Sequence, residues 1–237
     1  MKTNKHIIYS LLFVLGLSFS FGLKAQDCKL FFPSEEGTFL EMTNYDKKGK
    51  VTGYSSQKIL ETKEVDGAFV VVFEQASRDK KGENEVKGIM EVSCKDGKFY
   101  FDLDNYLSSM NMDTYEENPD MDVVVDGDEI FYPAELNPGD QLPDGSLVAK
   151  VLSSGMQIMS MTVDITNRKV EGKESVTTPA GTFECHKITQ DVELKTIMKI
   201  KSKDATWLAE GVGVVKTEMY DKKGKLTGST VLTKLEK

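Results

Sequence analysis

The sequence predicts a mainly β fold, an antiparallel meander forming a strongly curved sheet or incomplete barrel with one short helix packed on the concave side. Three observations predict it. Turn signals recur every one to two dozen residues, the segments between them alternate apolar and polar residues or are rich in β-branched and aromatic ones, and helical periodicity is confined to a single stretch.

The first 25 residues read as a signal peptide rather than as part of the folded unit. Lys2 and Lys5 form a charged start, Ile7 to Leu23 is an almost unbroken apolar run, and Leu23-Lys24-Ala25 offers a cleavage site before Gln26. At about 17 residues the run is short for a membrane span, and no stop-transfer pattern follows it. Cys28 is preceded by Ala25-Gln26-Asp27, where a lipobox would place small apolar residues. The expectation is therefore an exported chain, in the periplasm or cell envelope, soluble after cleavage, not a lipoprotein and without a transmembrane segment.

Residues 26–237 carry no Pro/Ser-rich linker or break in composition, and are expected to form a single β-rich domain. Removing Lys2, Lys5 and Lys24 with the leader takes the formal charge from −8 to −11. A surface this acidic repels nucleic acid and anionic headgroups at long range, and no basic stripe offsets it, so no nucleic-acid partner is expected.

Asp-Lys-Lys-Gly occurs three times, at Asp46 to Gly49, Asp79 to Gly82 and Asp221 to Gly224. Asp favours the first position of a type I turn and the closing Gly tolerates the left-handed backbone, so each copy predicts a hairpin connection. The longer repeat, YDKKGKVTG at Tyr45 to Gly53 and YDKKGKLTG at Tyr220 to Gly228, is explained by the same turn chemistry. Its two copies lie near the ends of the domain and are either neighbouring hairpins or remnants of a duplicated unit.

The flanking segments read as strands. Phe69, Val71 and Phe73 share a face of Ala68 to Glu74, and Phe99, Phe101 and Leu103 oppose Lys98, Tyr100 and Asp102. Val192 to Lys201 alternates as one strand, with Val192, Leu194, Thr196, Met198 and Ile200 on one side. Further turns are predicted at Val65 to Gly67, Lys95 to Gly97, Asp126 to Asp128, Asn137 to Gly139, Pro143 to Gly145 and Thr178 to Gly181, which implies roughly a dozen strands. The single helix starts at Asp102, with Leu103, Tyr106, Leu107 and Met110 at helical spacing, and stops in the acidic stretch Asp113 to Asp122. Such a lone amphipathic helix has to bury its stripe against a sheet.

Most catalytic chemistries lack their residues. After cleavage His186 is the one histidine, and on a strand its neighbour Cys185 would point to the opposite face, so no catalytic residues are assigned and no enzyme activity is expected. Cys28, Cys94 and Cys185 are too scattered for a zinc site, the acidic loops lack the calcium-loop spacing, and Gly211-Val212-Gly213 lacks the third glycine and the helix of a phosphate cradle. No metal and no cofactor are expected. Two of the three cysteines are candidates for one disulfide, without an indication of which.

Methionine is the one unusual enrichment: Met156, Met159 and Met161 fall within ten residues, and Met110, Met112 and Met121 flank the helix. On a strand Met159, Met161, Val163 and Ile165 share a face that suits first an irregular core, then a pocket for an apolar ligand, and last a soft metal such as Cu(I). Together with Leu107 and Met110 they are the candidate lining of a cavity under the helix. The resulting expectation is non-enzymatic binding of a hydrophobic small molecule or lipid. The alternative is a protein-interaction or structural module of the envelope, with a surface patch around Trp207.

The segments CKLFFPSEEGTFLEMTNYDKKGKVTGY, CKDGKFYFD, VTTPAGTFECHKI and WLAEGVGVVKTEMYDKKGKLTG resemble TapB-like exported proteins of Bacteroidota, related to the DUF 3108-like domain of unknown function. The resemblance covers essentially the whole chain after the leader, and Thr178 to Phe183 and Gly211 to Lys216 carry it most specifically. It implies a periplasmic or cell-envelope β-rich domain and supplies no activity or site residues.

Overall fold

The chain's computed structural model describes residues 31–101, 121–128 and 130–237. Those residues form one antiparallel sheet of thirteen strands in the order β6-β8-β9-β10-β11-β12-β13-β1-β2-β3-β4-β5-β7. The first five strands are β1 (Phe39–Asp46), β2 (Val51–Val65), β3 (Ala68–Asp79), β4 (Val86–Lys95) and β5 (Lys98–Phe101). After them come β6 (Met121–Gly127), β7 (Phe131–Pro133), β8 (Gly145–Ser153), β9 (Met156–Thr178) and β10 (Gly181–Lys195). The last three are β11 (Lys199–Ala209), β12 (Gly213–Asp221) and β13 (Leu226–Glu236). No helix occurs among the described residues, and the predicted helix beginning at Asp102 lies outside them, as does the leader.

The three Asp-Lys-Lys-Gly segments make one turn three times. In the first, Asp46 Oδ1 accepts the backbone N–H of Lys48 at 2.8 Å and of Lys50 at 2.9 Å, and Gly49 closes the loop at a φ of 74°. The same bonds recur around Asp79 and Asp221. These donors hold all three carboxyls below the usual Asp value. The final Gly of the longer repeat has a separate cause: a Cβ on Gly53 would sit 2.7 Å from the Arg78 carbonyl oxygen of the neighbouring strand. Pairing of β1 with β13, Tyr45 opposite Ser229 and Asp46 opposite Gly228, sets the twin hairpins side by side.

One predicted strand is two. Val192 to Lys201 folds into the end of β10 and the start of β11, with Thr196 N–H donating to Met198 O across the turn. Leu194 faces Ile200 and Lys195 faces Lys199. Because such partners share a side of the sheet, the alternation continues through the turn, and the pattern could not reveal the reversal.

The sheet is unclosed, since β6 and β7 do not pair, but it curls far enough for β7 and the connection after it to reach β9, the third strand from the other edge. The connection from β7 to β8 runs along the margin of β9 that β8 leaves open: Gly139 N–H donates to Val170 O, Val170 N–H to Asp140 O and Leu142 N–H to Arg168 O. Arg168, 1% exposed, fastens this contact. Its Nη1 donates to Pro143 O at 2.8 Å, its Nη2 to Phe131 O at 3.2 Å, and its guanidinium lies 5.0 Å from the Tyr132 ring centroid.

Inside the curl lies the main core, built from Phe31, Phe32, Ile59, Val71, Phe73 and Phe99 among others, with Leu136 and Leu142 from the connection. Phe31 spans it, edge-on to Phe99 at 6.4 Å, Tyr132 at 6.4 Å and His186 at 5.9 Å. A second cluster, with Cys185, Ala205, Trp207, Ala209 and Val215, occupies the convex side, because Trp207 and the core residue Leu208 are consecutive on β11.

A candidate ligand-binding wall on the concave face

β9 is 23 residues long, and its inner face changes parity on the way. Just after Asn167, Arg168 and Val170 are buried on the core side; just before it, Val163 faces Leu194 and Ile165 faces Val192. The switch from even to odd numbers comes from a β-bulge at Asn167, whose φ of 54° is left-handed, while β10 carries Ile188, Gln190, Val192 and Leu194 past it on one face. The bulge therefore keeps Met159, Met161, Val163 and Ile165 on the concave side with the core.

Their neighbours extend the apolar surface. Leu147 lies opposite Val163, Ala149 opposite Met161 and Val151 opposite Met159, all three on β8 and buried, and Ile200 adjoins Leu194. Met161, Val163 and Ile165 are half-buried and Met159 is 48% exposed. Leu107 and Met110, the other two candidate lining residues, lie outside the described residues. The β8 contribution was missed in the sequence, although Leu147, Ala149 and Val151 at alternate positions, with Ser146 and Lys150 on the other face between the turn and the strand's end, are the signal that could have found it.

Polar groups bound this wall. On the rung beyond Ile165, Val192 and Ser202, Gln190 faces Asp204. Asp204 Oδ1 is buried without a hydrogen-bond partner, and burial raises the carboxyl above its ordinary value against a weaker opposing bond from Ser202. The convex side of the same strands is an ion-pair lattice. Glu193 is held down to about 2 by hydrogen bonds from Lys201 and Lys199, and Asp164 is lowered by Lys195 and Ser146.

The other singled-out side chains are absorbed by packing. Trp207 is only 4% exposed, donates from Nε1 to Glu174, and is flanked by the Lys187 and Lys216 ammonium groups at 4.8 and 4.6 Å from its ring, so it forms no open patch. His186 is buried and faces Phe31 on the inner side, while Cys185 is a buried free thiol on the outer side, pushed up to about 11 by burial. Cys94 is disulfide-bonded. Among the described residues no helix is long and apolar enough to cross a membrane.

Comparison with solved structures places the architecture among known ones. A Bacteroides fragilis protein described as exported, with a YmcC-like fold, is 28% identical, with a TM-score of 0.70 over 89% of this chain and 100% of that one. A Parabacteroides distasonis protein described as a lipoprotein has the same identity, TM-score and coverage. No curated protein matches the chain. The DUF3108-like family model matches residues 35–232.

Proposed function

This chain belongs to the DUF3108-like family, and on that footing we propose that it is an exported cell-envelope domain that binds a hydrophobic, lipid-like molecule on its concave face and catalyses no reaction. One observation carries the reading: the Asn167 bulge extends the inner face of β9 beyond the core as Ile165, Val163, Met161 and Met159, which are apolar yet half-covered to exposed. Single exposed apolar side chains are ordinary, but a contiguous apolar stripe of this kind marks a ligand-binding or interaction surface. Leu107 and Met110 are proposed to complete the lining. Asp204, with its unpartnered Oδ1, suits an amphiphile carrying a hydroxyl or amine donor at its polar end.

Native mass spectrometry of the mature domain, purified without detergent from its own envelope, tests this. A stoichiometric apolar adduct is expected, and replacing Met159 and Met161 together by Gln should lower its occupancy several-fold. A clean apo mass would overturn the reading and favour the protein-interaction alternative.

Placement in the envelope draws on the descriptions of the two structural neighbours as exported and as a lipoprotein. We propose the unlipidated form for this chain. Cys94 is disulfide-bonded and Cys185 is a free thiol, which supports Cys28 as the proposed partner of Cys94, and a sulfur so used cannot carry a diacylglycerol thioether. Non-reducing peptide mapping should return a Cys28–Cys94 link on a chain beginning at Gln26. A diacylglyceryl mass on Cys28 would refute it.

A further inference from the structure

Resting on the ligand-binding reading above, we infer that the margin of the sheet formed by the β8–β9 and β10–β11 hairpin tips docks on a phospholipid bilayer, at headgroup depth, where the apolar molecule is exchanged. Among the described residues twelve large apolar side chains are exposed, and six of them are gathered here: Met156, Ile158, Met159, Ile197, Met198 and Ile200. Ile197 is fully exposed. β9 pairs with β10 only from Thr162 onward, so among the described residues Met156 to Met161 run past the Ile197 and Met198 tip with no strand on that side.

Charge selects the occupant. The chain carries 38 acidic residues, yet none falls between Leu152 and Val163 or between Leu194 and Lys203, and Asp122 of β6, the register partner of Leu152, is the one described acidic residue paired with the β8–β9 tip. Lys195, Lys199 and Lys201 flank Ile197 and Met198 instead. The ammonium groups are outermost: the side chains of Lys199 and Lys201 are 62% and 61% exposed, against 18% for Glu193, which they cover. An apolar tip with a lysine collar fits lipid, the apolar residues reaching the acyl boundary and the lysines meeting headgroup phosphates. The acidity of the whole domain does not oppose this strongly, because screening within about 8 Å at physiological salt leaves the local collar to face the membrane.

Two features set depth and purpose. Among the described residues no strand pairs with Met156 to Met161 on the β10 side, and backbone groups at such a margin can be bonded by hydrated headgroups but not by hydrocarbon, so docking is shallow. Met159 belongs to both the exposed margin and the concave wall, so an acyl chain leaving the bilayer would pass from Ile197 and Met198 to Met159, Met161 and Val163 without crossing a charged rung.

The test is co-sedimentation of the mature domain with vesicles of phosphatidylethanolamine and phosphatidylglycerol, with native mass spectrometry of the same samples before vesicles are added. Wild type should pellet. Ile197→Asp, which alters a fully exposed turn residue and should leave the melting temperature unchanged, should weaken pelleting at least tenfold. Lys199→Gln and Lys201→Gln should each weaken it about fivefold. All three should retain the molecule they carry in solution. Wild type that does not pellet, or Ile197→Asp that pellets as well as wild type, overturns the docking while the retained molecule leaves the binding reading intact. A wild type that carries no apolar molecule fails the binding reading, and the exchange route with it.

Discussion

Replacing Arg168 by alanine is expected to lower the free energy of unfolding by about 3 to 5 kcal/mol. The guanidinium is 1% exposed and serves the carbonyls of Phe131 and Pro143, which lie in and beyond β7, from a strand near the opposite edge of the sheet. Alanine would orphan both acceptors, each costing about 1 to 3 kcal/mol if it stays buried. It would also remove the cation over Tyr132 and open a cavity beside Leu142 and Val170, and partial water entry should keep the total below the simple sum. Arg168→Met separates the contributions: it keeps the stem's volume and still orphans the carbonyls, so a loss of about 2 kcal/mol is expected. Urea denaturation of both variants is the measurement. If both unfold within about 0.5 kcal/mol of wild type, within the range of an ordinary surface substitution, the curled sheet does not depend on this fastening.

The second large effect is expected at Phe31, where alanine should cost about 3 to 5 kcal/mol. The ring is buried and touches β5 through Phe99, β7 through Tyr132 and β10 through His186, so its loss leaves a hole where the two limbs of the curl converge. Phe31→Leu, which refills most of that volume, should cost less than about 2 kcal/mol. Equal losses for the two variants would mean that the ring geometry, not the filled space, matters. A negligible loss for alanine would mean that the segment before β1 only decorates a sheet stable without it.

The architecture of this chain was legible wherever its causes are local. Asp at one position and Gly three later close a turn by bonds made within five residues, and for that reason all three Asp-Lys-Lys-Gly segments announce their hairpins. Alternation likewise identified Phe69, Val71 and Phe73 as a core-facing set. It failed at Thr196 to Met198, where a turn preserves parity, and it said nothing of Asn167, whose bulge decides which side of β9 faces the core.

By itself, then, the sequence determined an antiparallel meander, its turns, its acidic surface and the Met159 to Ile165 stripe. Only the tertiary structure decided that β13 lies beside β1, that the stripe shares the concave side with Val170, that Trp207 is covered by lysines, and that an arginine is buried between the sheet's two limbs. The physical reason is range. A turn or an alternating face is encoded by neighbours along the chain, whereas register, bulges and the burial of a charged side chain are settled by strands that meet only after the sheet has curled.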